Sequence, residues 1–238
     1  MTMKIAHISD LHVGSSRFMA DKLRTTIREI NDMDLVVISG DVTEDGYQQE
    51  YAELKEYLDL LRPDYVVVPG NHDARNIGYL SFEESFGTLT PERRIDGLLI
   101  VGLDSSEPDS NEGHIGRFRH RWLEEKLAKF EGVKIITLHH HLLPVPMTGR
   151  ERNVLWDAGD FLEVLSRCGV SLALCGHKHV PHVWRLEDMI ILNAGTASSR
   201  ALKHTTQCYN IIEIDDKKIT IYLKDVGGKK REIKTLSL

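Results

Sequence analysis

Short apolar runs alternate with segments of helical spacing over the first two thirds of the chain. Lys4–Ser9, Leu35–Ser39, Tyr65–Pro69, Leu98–Leu103, Lys134–Leu138 and Ser171–Leu174 are rich in β-branched and aliphatic residues and read as buried strands. Between them, Ser16–Met33 carries Phe18, Leu23, Ile27 and Ile30 near helical spacing, and Gln48–Leu61 places Tyr51, Leu54, Leu58 and Leu61 on one face. Ser81–Phe86, Phe118–Phe130 and Asp160–Cys168 read as further helices. The opening βαβαβ order implies right-handed crossovers and a mostly parallel sheet. The last third changes character. Val183–Leu186, Met189–Leu192, Cys208–Ile214, Lys218–Leu223 and Glu232–Leu236 read as strands, with Asp215-Asp216-Lys217 and Val226-Gly227-Gly228 as hairpin turns. The pattern predicts a helix-covered N-terminal sheet packed on a second, mainly antiparallel C-terminal sheet, in one domain over residues 1–238.

Composition narrows this picture without redirecting it. The chain is 41% hydrophobic and 28% charged, enough for a real core. A net charge of -6 gives no overall basic face, so nucleic acid is not expected as a partner, although Arg117, Arg119 and Arg121 form a local basic cluster. Cys168, Cys175 and Cys208 are odd in number and lack CxxC pairing, which fits a reducing compartment and removes thiolate-rich metal sites. The N-terminus enters a strand at once, with no apolar signal region, and no run approaches the roughly 20 apolar residues of a spanning helix. A cytoplasmic protein without a membrane partner is expected; its oligomeric state is open, a dimer included.

The ends of the strands change the picture more. One runs into Asp10-Leu11-His12, another into Gly40-Asp41, a third into Gly70-Asn71-His72-Asp73, a fourth into His139-His140-His141, and a fifth through Cys175-Gly176 into His177-Lys178-His179. The C-terminal edge of strands in an open α/β sheet is where ligands bind. Each of these residues alone is an ordinary turn or cap residue; five strand ends of one chemical type are not. The candidate ligands are Asp10, His12, Asp41, Asn71, His139 or His140, His177 and His179, a set of carboxylates, one amide and imidazoles without sulfur. Such donors suit Mn, Fe, Zn or Co and poorly suit Ca or an iron–sulfur cluster. The set is too large for one tetrahedral zinc and fits two ions sharing a carboxylate, which clamp a phosphoryl group and generate hydroxide near neutral pH. The polar loop Ser105–Gly116 is long enough to border such a site, and a second loop spans Leu142–Arg152.

Taken in order, Asp10-x-His12, Gly40-Asp41, Gly70-Asn71-His72-Asp73, the His139-His140 segment and Gly176-His177-x-His179 resemble the calcineurin-like metallophosphoesterase superfamily, over about Met3 to Asp215. The resemblance implies a metallo-dependent phosphatase-like fold, a four-layer α/β/β/α sandwich of two mixed sheets with a dinuclear centre at strand ends. It implies that Asp10, His12, Asp41 and His179 hold one metal, and that Asp41, Asn71, His139 and His177 hold the other, with Asp41 bridging. The register relative to Pro144 favours His139, and a one-residue shift would choose His140. By the same likeness, His72 is the non-coordinating histidine that contacts phosphate and protonates the leaving alkoxide by general acid catalysis, oriented by Glu44 or Asp45. Asp73 is expected in supporting contacts to backbone or histidine.

Gly116–Leu127, Gly176–Pro181 and Asn193-Ala194-Gly195-Thr196 look most like the cyclic-nucleotide phosphodiesterase-like branch. The expected activity is therefore hydrolysis of a small phosphoester, a phosphodiester before a monoester, by in-line attack of a metal-bridging hydroxide. A nuclease is the rival, since Asp10-Leu11-His12-Val13-Gly14 also resembles repair nucleases of the superfamily. A non-catalytic scaffold is disfavoured because every ligand position is filled.

Overall fold

Two six-stranded sheets pack face to face in the computed structural model, which describes residues 2–149, 151–202 and 204–238. Met1, Lys203 and, within the loop expected over Leu142–Arg152, Arg150 lie outside the described residues. From edge to edge, the first sheet runs β12 (Lys230–Ser237), β11 (Lys218–Asp225), β10 (Cys208–Ile214), β1 (Met3–Ile8), β2 (Leu35–Ile38) and β3 (Asp64–Val67). The second runs β4 (Glu92–Ile95), β5 (Leu98–Gly102), β6 (Val133–Thr137), β7 (Leu172–Cys175), β9 (Met189–Asn193) and β8 (His182–Leu186). Strands β1, β2 and β3 are mutually parallel, as are β5, β6, β7 and β9; β10, β11, β12, β4 and β8 enter antiparallel.

Side-chain alternation turns two sheets into four layers. On the inner faces Ile5, Leu35, Val37 and Val66 of the first sheet meet Ile100, Ile135, Leu174 and Ile190 of the second. On the outer face of the first, Ala6, Ile8, Val36 and Ile38 receive helices α1 (Ala20–Ile30), α2 (Gln48–Leu58) and α3 (Gly78–Phe86) through Leu23, Ile27, Leu54 and Phe82. On the outer face of the second, Leu99, Val101, Ile136 and Ala173 receive α4 (Arg117–Leu127) and α5 (Ala158–Arg167) through Leu123, Leu127, Phe161 and Leu165. The central strands are buried on both faces, which is why they read as unbroken apolar runs rather than alternating ones.

The expected division of the chain between the sheets is corrected. The C-terminal strands do not form a sheet of their own: β10 pairs with β1, Ile5 opposite Ile212, and carries β11 and β12 with it, while β8 and β9 join the second sheet beside β7. All but one residue of β10 is buried, so it needs a neighbour on each side, and β1 has a free edge to offer. The helix expected from Ser16 begins at Ala20, because the preceding residues form a turn (Phe18 N–H to the Ser15 carbonyl) tied by Met19 N–H to the Ser198 carbonyl. Strand β4, Glu-Arg-Arg-Ile, escaped the apolar pattern because it is an exposed edge, where charge protects against further pairing.

A polar cluster around His7 lies deep between the sheets. His7 is fully buried, accepting from Asn210 Nδ2 at 3.2 Å and donating to Ser39 Oγ at 2.9 Å, so it is held as the neutral ring. Burial lowers its pKa to about 3. Above pH 6.5 both folded and unfolded chains carry it neutral; below that, only the unfolded chain takes up the proton. Stability is therefore expected to fall from pH 6.5 downward, by roughly 3 kcal/mol at pH 4 from this group. A His7→Gln variant should show a correspondingly shallower loss between pH 7 and pH 4 in urea denaturation, and an unchanged slope would remove the claim.

Candidate metal centre

All five parallel strands that end in ligand-type residues point their C-terminal ends to one edge of the sandwich. Asp10 and His12 follow β1, Asp41 follows β2, Asn71 and His72 follow β3, His139 follows β6, and His177 and His179 follow β7. The backbone there is unusual. Asp10, His12, Asp41, His177 and His179 all have left-handed φ, between 51° and 74°. Asp and His tolerate this region better than most residues, but such strain costs about 1–3 kcal/mol per residue and concentrates where a structure must aim side chains. Two glycines make room. A Cβ on Gly70 would lie 2.2 Å from Asp41 Oδ1, and one on Gly40, whose φ is +89°, 2.7 Å from His139 Nδ1.

The side chains form two cages that share a wall. In one, His139 Nε2 lies 3.1 Å from Asn71 Oδ1, 3.2 Å from Asp41 Oδ2 and 3.2 Å from His177 Nδ1, and His177 Nδ1 lies 2.8 Å from Asn71 Oδ1. In the other, His12 Nε2 faces His179 Nε2 at 3.0 Å, His179 Nε2 lies 3.3 Å from Asp10 Oδ1, and His12 Nε2 lies 3.7 Å from Asp41 Oδ2. Asp41 touches both cages.

The hydrogen bonds behind the cages decide what faces inward. His139 Nδ1–H donates to the Ser39 carbonyl at 2.8 Å, His12 Nδ1–H to Glu44 Oε2 at 2.9 Å, and His179 Nδ1–H to the Arg200 carbonyl at 3.2 Å. Asn71 Nδ2 donates to Asn111 Oδ1 at 3.1 Å, which turns Oδ1 inward. Each cage is thus lined with donor atoms 2.8–3.7 Å apart, an arrangement that needs positive charge at its centre. Bonds of about 2.1 Å to a common cation set neighbouring donors about this far apart. The donor set fits one divalent cation in each cage.

The titration of the cages reports the same demand. Burial pushes the Asp41 carboxyl up, but His139, His72 and His12 outweigh it and hold it well below the usual carboxylate range. Burial pulls the His139 ring down, yet the Asp41 carboxylate outweighs it and raises the pKa to about 9. The hydrogen bond to His12 lowers Glu44 to about 2, and Glu44 with Asp41 and Asp10 raises His12 against the pull of burial. His177, among neighbouring imidazoles in a buried setting, is lowered by burial first and then by His140 and His139.

Of the histidine triplet, the structure brings His139 into a cage and turns the other two away. His140 Nδ1 meets Ser105 Oγ at 2.9 Å and its Nε2 meets the Asn111 carbonyl at 3.3 Å, while His141 Nε2 pairs with Glu151 Oε1 at 2.7 Å. His72 lies beside the cages without entering them. Its Nδ1–H donates to the Glu44 backbone carbonyl at 2.6 Å, and its Nε2, 4.0 Å from Asp41 Oδ2, accepts from Arg75 Nη2 at 3.1 Å. Its orientation therefore comes chiefly from the main chain of Glu44, whose carboxylate Oε2 serves His12 while Oε1 lies 3.8 Å from His72 Nδ1; the Asp45 carboxylate anchors Arg75 at 3.3 Å. Arg75, Asn111 and this use of Glu44 carry no motif. Position in a predicted site-bordering loop is the only sequence signal Asn111 offered.

Asp73 holds the motif loops together. Its Oδ1 accepts from Thr43 N–H at 2.8 Å and Thr43 Oγ–H at 2.7 Å, and its Oδ2 from Gly70 N–H at 2.8 Å and Val42 N–H at 3.1 Å. Burial and then the Asp41 charge push its carboxyl up to about 6, against the bonds from Gly70 and Thr43. Asp73→Asn would aim an amide N–H₂ at two donors. At pH 8, where the carboxylate is ionised, this variant is expected to lose about 3 kcal/mol of stability. Urea denaturation of the metal-free protein measures it, and a loss below about 1 kcal/mol would show that the loops do not depend on this acceptor.

A family model described as calcineurin-like phosphoesterase matches residues 3–181. The chain is 32% identical over 218 residues to a probable glycerophosphodiester phosphodiesterase of Arcobacter nitrofigilis, covering 82% of this chain and 79% of that protein. It is 31% identical over 193 residues to the 3′,5′-cyclic adenosine monophosphate phosphodiesterase of Escherichia coli K12, covering 74% of this chain and 70% of that one. Among solved structures, a dimetal phosphatase from Danio rerio superposes with a TM-score of 0.78 at 15% identity, over 99% of this chain and 98% of that one, a likeness of fold.

Proposed function

Because the chain belongs to the calcineurin-like phosphoesterase family, a family of metal-dependent hydrolases, we propose that it cleaves small phosphodiesters at a centre of two cations. The observation that carries this reading is the pair of lone-pair cages joined at Asp41. Asp10, His12, Asp41 and His179 hold one cation and Asp41, Asn71, His139 and His177 the other, drawn from Mn, Fe, Zn or Co by the absence of sulfur and the mixture of imidazole with oxygen donors. When bound, the cations supply Lewis acidity toward the phosphoryl oxygens and toward water.

The protein's own groups do the positioning. Asp41 keeps the cages at a fixed spacing, and Asn71, held by Asn111, presents its oxygen rather than its amine. His72 stands with Nε2 beside the shared wall, where a departing oxygen collects a proton, and the Arg75 guanidinium next to it offers positive charge to the phosphoryl group. Ligands come from strand ends of both sheets, so the chain acts as one domain in this reading. The diester preference is supported by the phosphodiesterases among its relatives. Among the described residues no helix is long and apolar enough to cross a membrane.

The test is a panel of esters after reconstitution with Mn²⁺, Fe²⁺, Zn²⁺ or Co²⁺: bis(p-nitrophenyl) phosphate, cyclic AMP, glycerophosphodiesters and p-nitrophenyl phosphate. Metal-dependent turnover is expected, with diesters ahead of the monoester; no turnover with any metal would overturn the reading.

A further inference from the structure

The cages open into a cavity of about 1330 Å³, more than the ~300–1,000 Å³ of an ordinary small-molecule site. His12 and His179 form part of its floor. Its charge is uneven. Among the described residues Glu44 is the only carboxylate lining it, and Glu44 is committed to His12 at 2.9 Å. Among the described residues three lysine and arginine side chains stand over it. Lys178 is occupied, with Glu151 at 3.5 Å and the Arg152 carbonyl at 3.2 Å. Arg17 and Arg200 are exposed, and among the described residues neither guanidinium enters an ion pair.

These two arginines stand on loops that are built as a unit. Arg17 lies in the turn between His12 and α1, and Arg200 in the loop after β9. Met19 N–H donates to the Ser198 carbonyl at 2.7 Å, Ser198 Oγ–H to the Leu11 carbonyl at 3.1 Å, and the Arg200 carbonyl accepts from His179 at 3.2 Å. Both arms are thereby fixed to the His12–His179 side of the centre. Two cations in the cages already meet the single negative charge of a diester, so two further guanidinia facing the same cavity call for more anion. A guanidinium presents a fork of donors matched to phosphate. An overall charge of -6 disfavours a polyanionic chain as the source.

We propose that the substrate is a small organic phosphodiester carrying a second phosphate, which Arg17 and Arg200 receive while the scissile phosphate lies over the cages. This rests on the phosphodiesterase reading above and names its substrate class.

The test uses two esters with one leaving group, thymidine 5′-(p-nitrophenyl phosphate) and its 3′-phosphorylated form, on the Mn²⁺-loaded protein. The 3′-phosphorylated ester is expected to show about tenfold higher kcat/KM, and in the Arg17→Ala/Arg200→Ala variant that ratio should fall to near one. A binding arm, calorimetry on the protein without added metal, compares thymidine 3′,5′-bisphosphate with thymidine 5′-monophosphate and should show the same preference and the same loss. Turnover of both esters with a ratio near one in the wild type, or equal binding of the two nucleotides, overturns the inference and leaves the diesterase reading standing. Absence of turnover with a retained binding preference overturns the diesterase reading, and with it the substrate class. Oligothymidylate bound more tightly than the bisphosphate overturns it in favour of a polymer.

Discussion

Replacing Asp41 with alanine is expected to lower turnover of bis(p-nitrophenyl) phosphate by roughly a thousandfold or more and to strip cation from the centre. No other proposed ligand faces both cages: Asp41 Oδ2 lies 3.2 Å from His139 Nε2 and 3.7 Å from His12 Nε2. The same carboxylate accepts the His72 backbone N–H through Oδ1 at 2.9 Å, so it also fixes the loop that carries Asn71 and His72. The alanine variant loses the shared wall, the negative charge that balances the surrounding imidazoles, and the loop anchor together. Asp41→Asn separates these roles. An asparagine oriented with its oxygen toward His72 keeps the anchor but turns N–H₂ into the cages, so it should retain fold and still lose metal. Metal content by mass spectrometry beside kcat/KM measures both variants. Activity within tenfold of the wild type, at full metal content, would remove Asp41 from the centre of the site.

The part of this site that sequence made legible is the part built from contiguous residues at strand ends. Five of the parallel strands show as apolar runs, each followed within a few residues by a proposed ligand, so Asp10, His12, Asp41 and Asn71 could be placed at one edge from sequence alone. What stayed hidden was set by distant partners. Asn111 meets Asn71 across 40 positions of sequence, and Arg75 matters only because the chain folds its guanidinium back onto His72. Glu44 looked equally suited to His72 and to nothing; only the left-handed turn at His12 brings His12 Nδ1 to its carboxylate. That turn had a faint signal, since Asp and His are among the residues that tolerate positive φ, and Asp10-x-His12 and His177-x-His179 each use it twice. The pairing of β10 with β1 was hidden for the same reason. Hydrophobic alternation states that β10 is buried and says nothing of which of several apolar edges it joins.

The His72→Ala variant is expected to lose about a hundredfold or more in kcat on a diester with an alkoxide leaving group such as cyclic AMP, and much less on bis(p-nitrophenyl) phosphate. The difference follows from the leaving group. An alkoxide is a strong base and needs a proton as the P–O bond breaks, whereas p-nitrophenolate departs as the anion. The geometry limits His72 to this kind of role. Its ring is held by the Glu44 carbonyl rather than by any cage atom, and its Nε2, 4.0 Å from Asp41 Oδ2, is engaged by Arg75 Nη2 and close enough to reach an oxygen lying over the shared wall. Metal content should therefore stay near the wild-type value, in contrast to the Asp41 variants. In the structure Nε2 accepts from Arg75 Nη2, so delivering a proton from that atom requires the guanidinium to shift, and an anionic phosphoryl group beside it supplies the reason. Arg75→Ala should then raise KM for both diesters alike, because it removes charge that binds phosphate irrespective of the leaving group. Equal losses on the two esters in His72→Ala would assign the histidine to phosphate binding, and loss of metal would assign it to the cages.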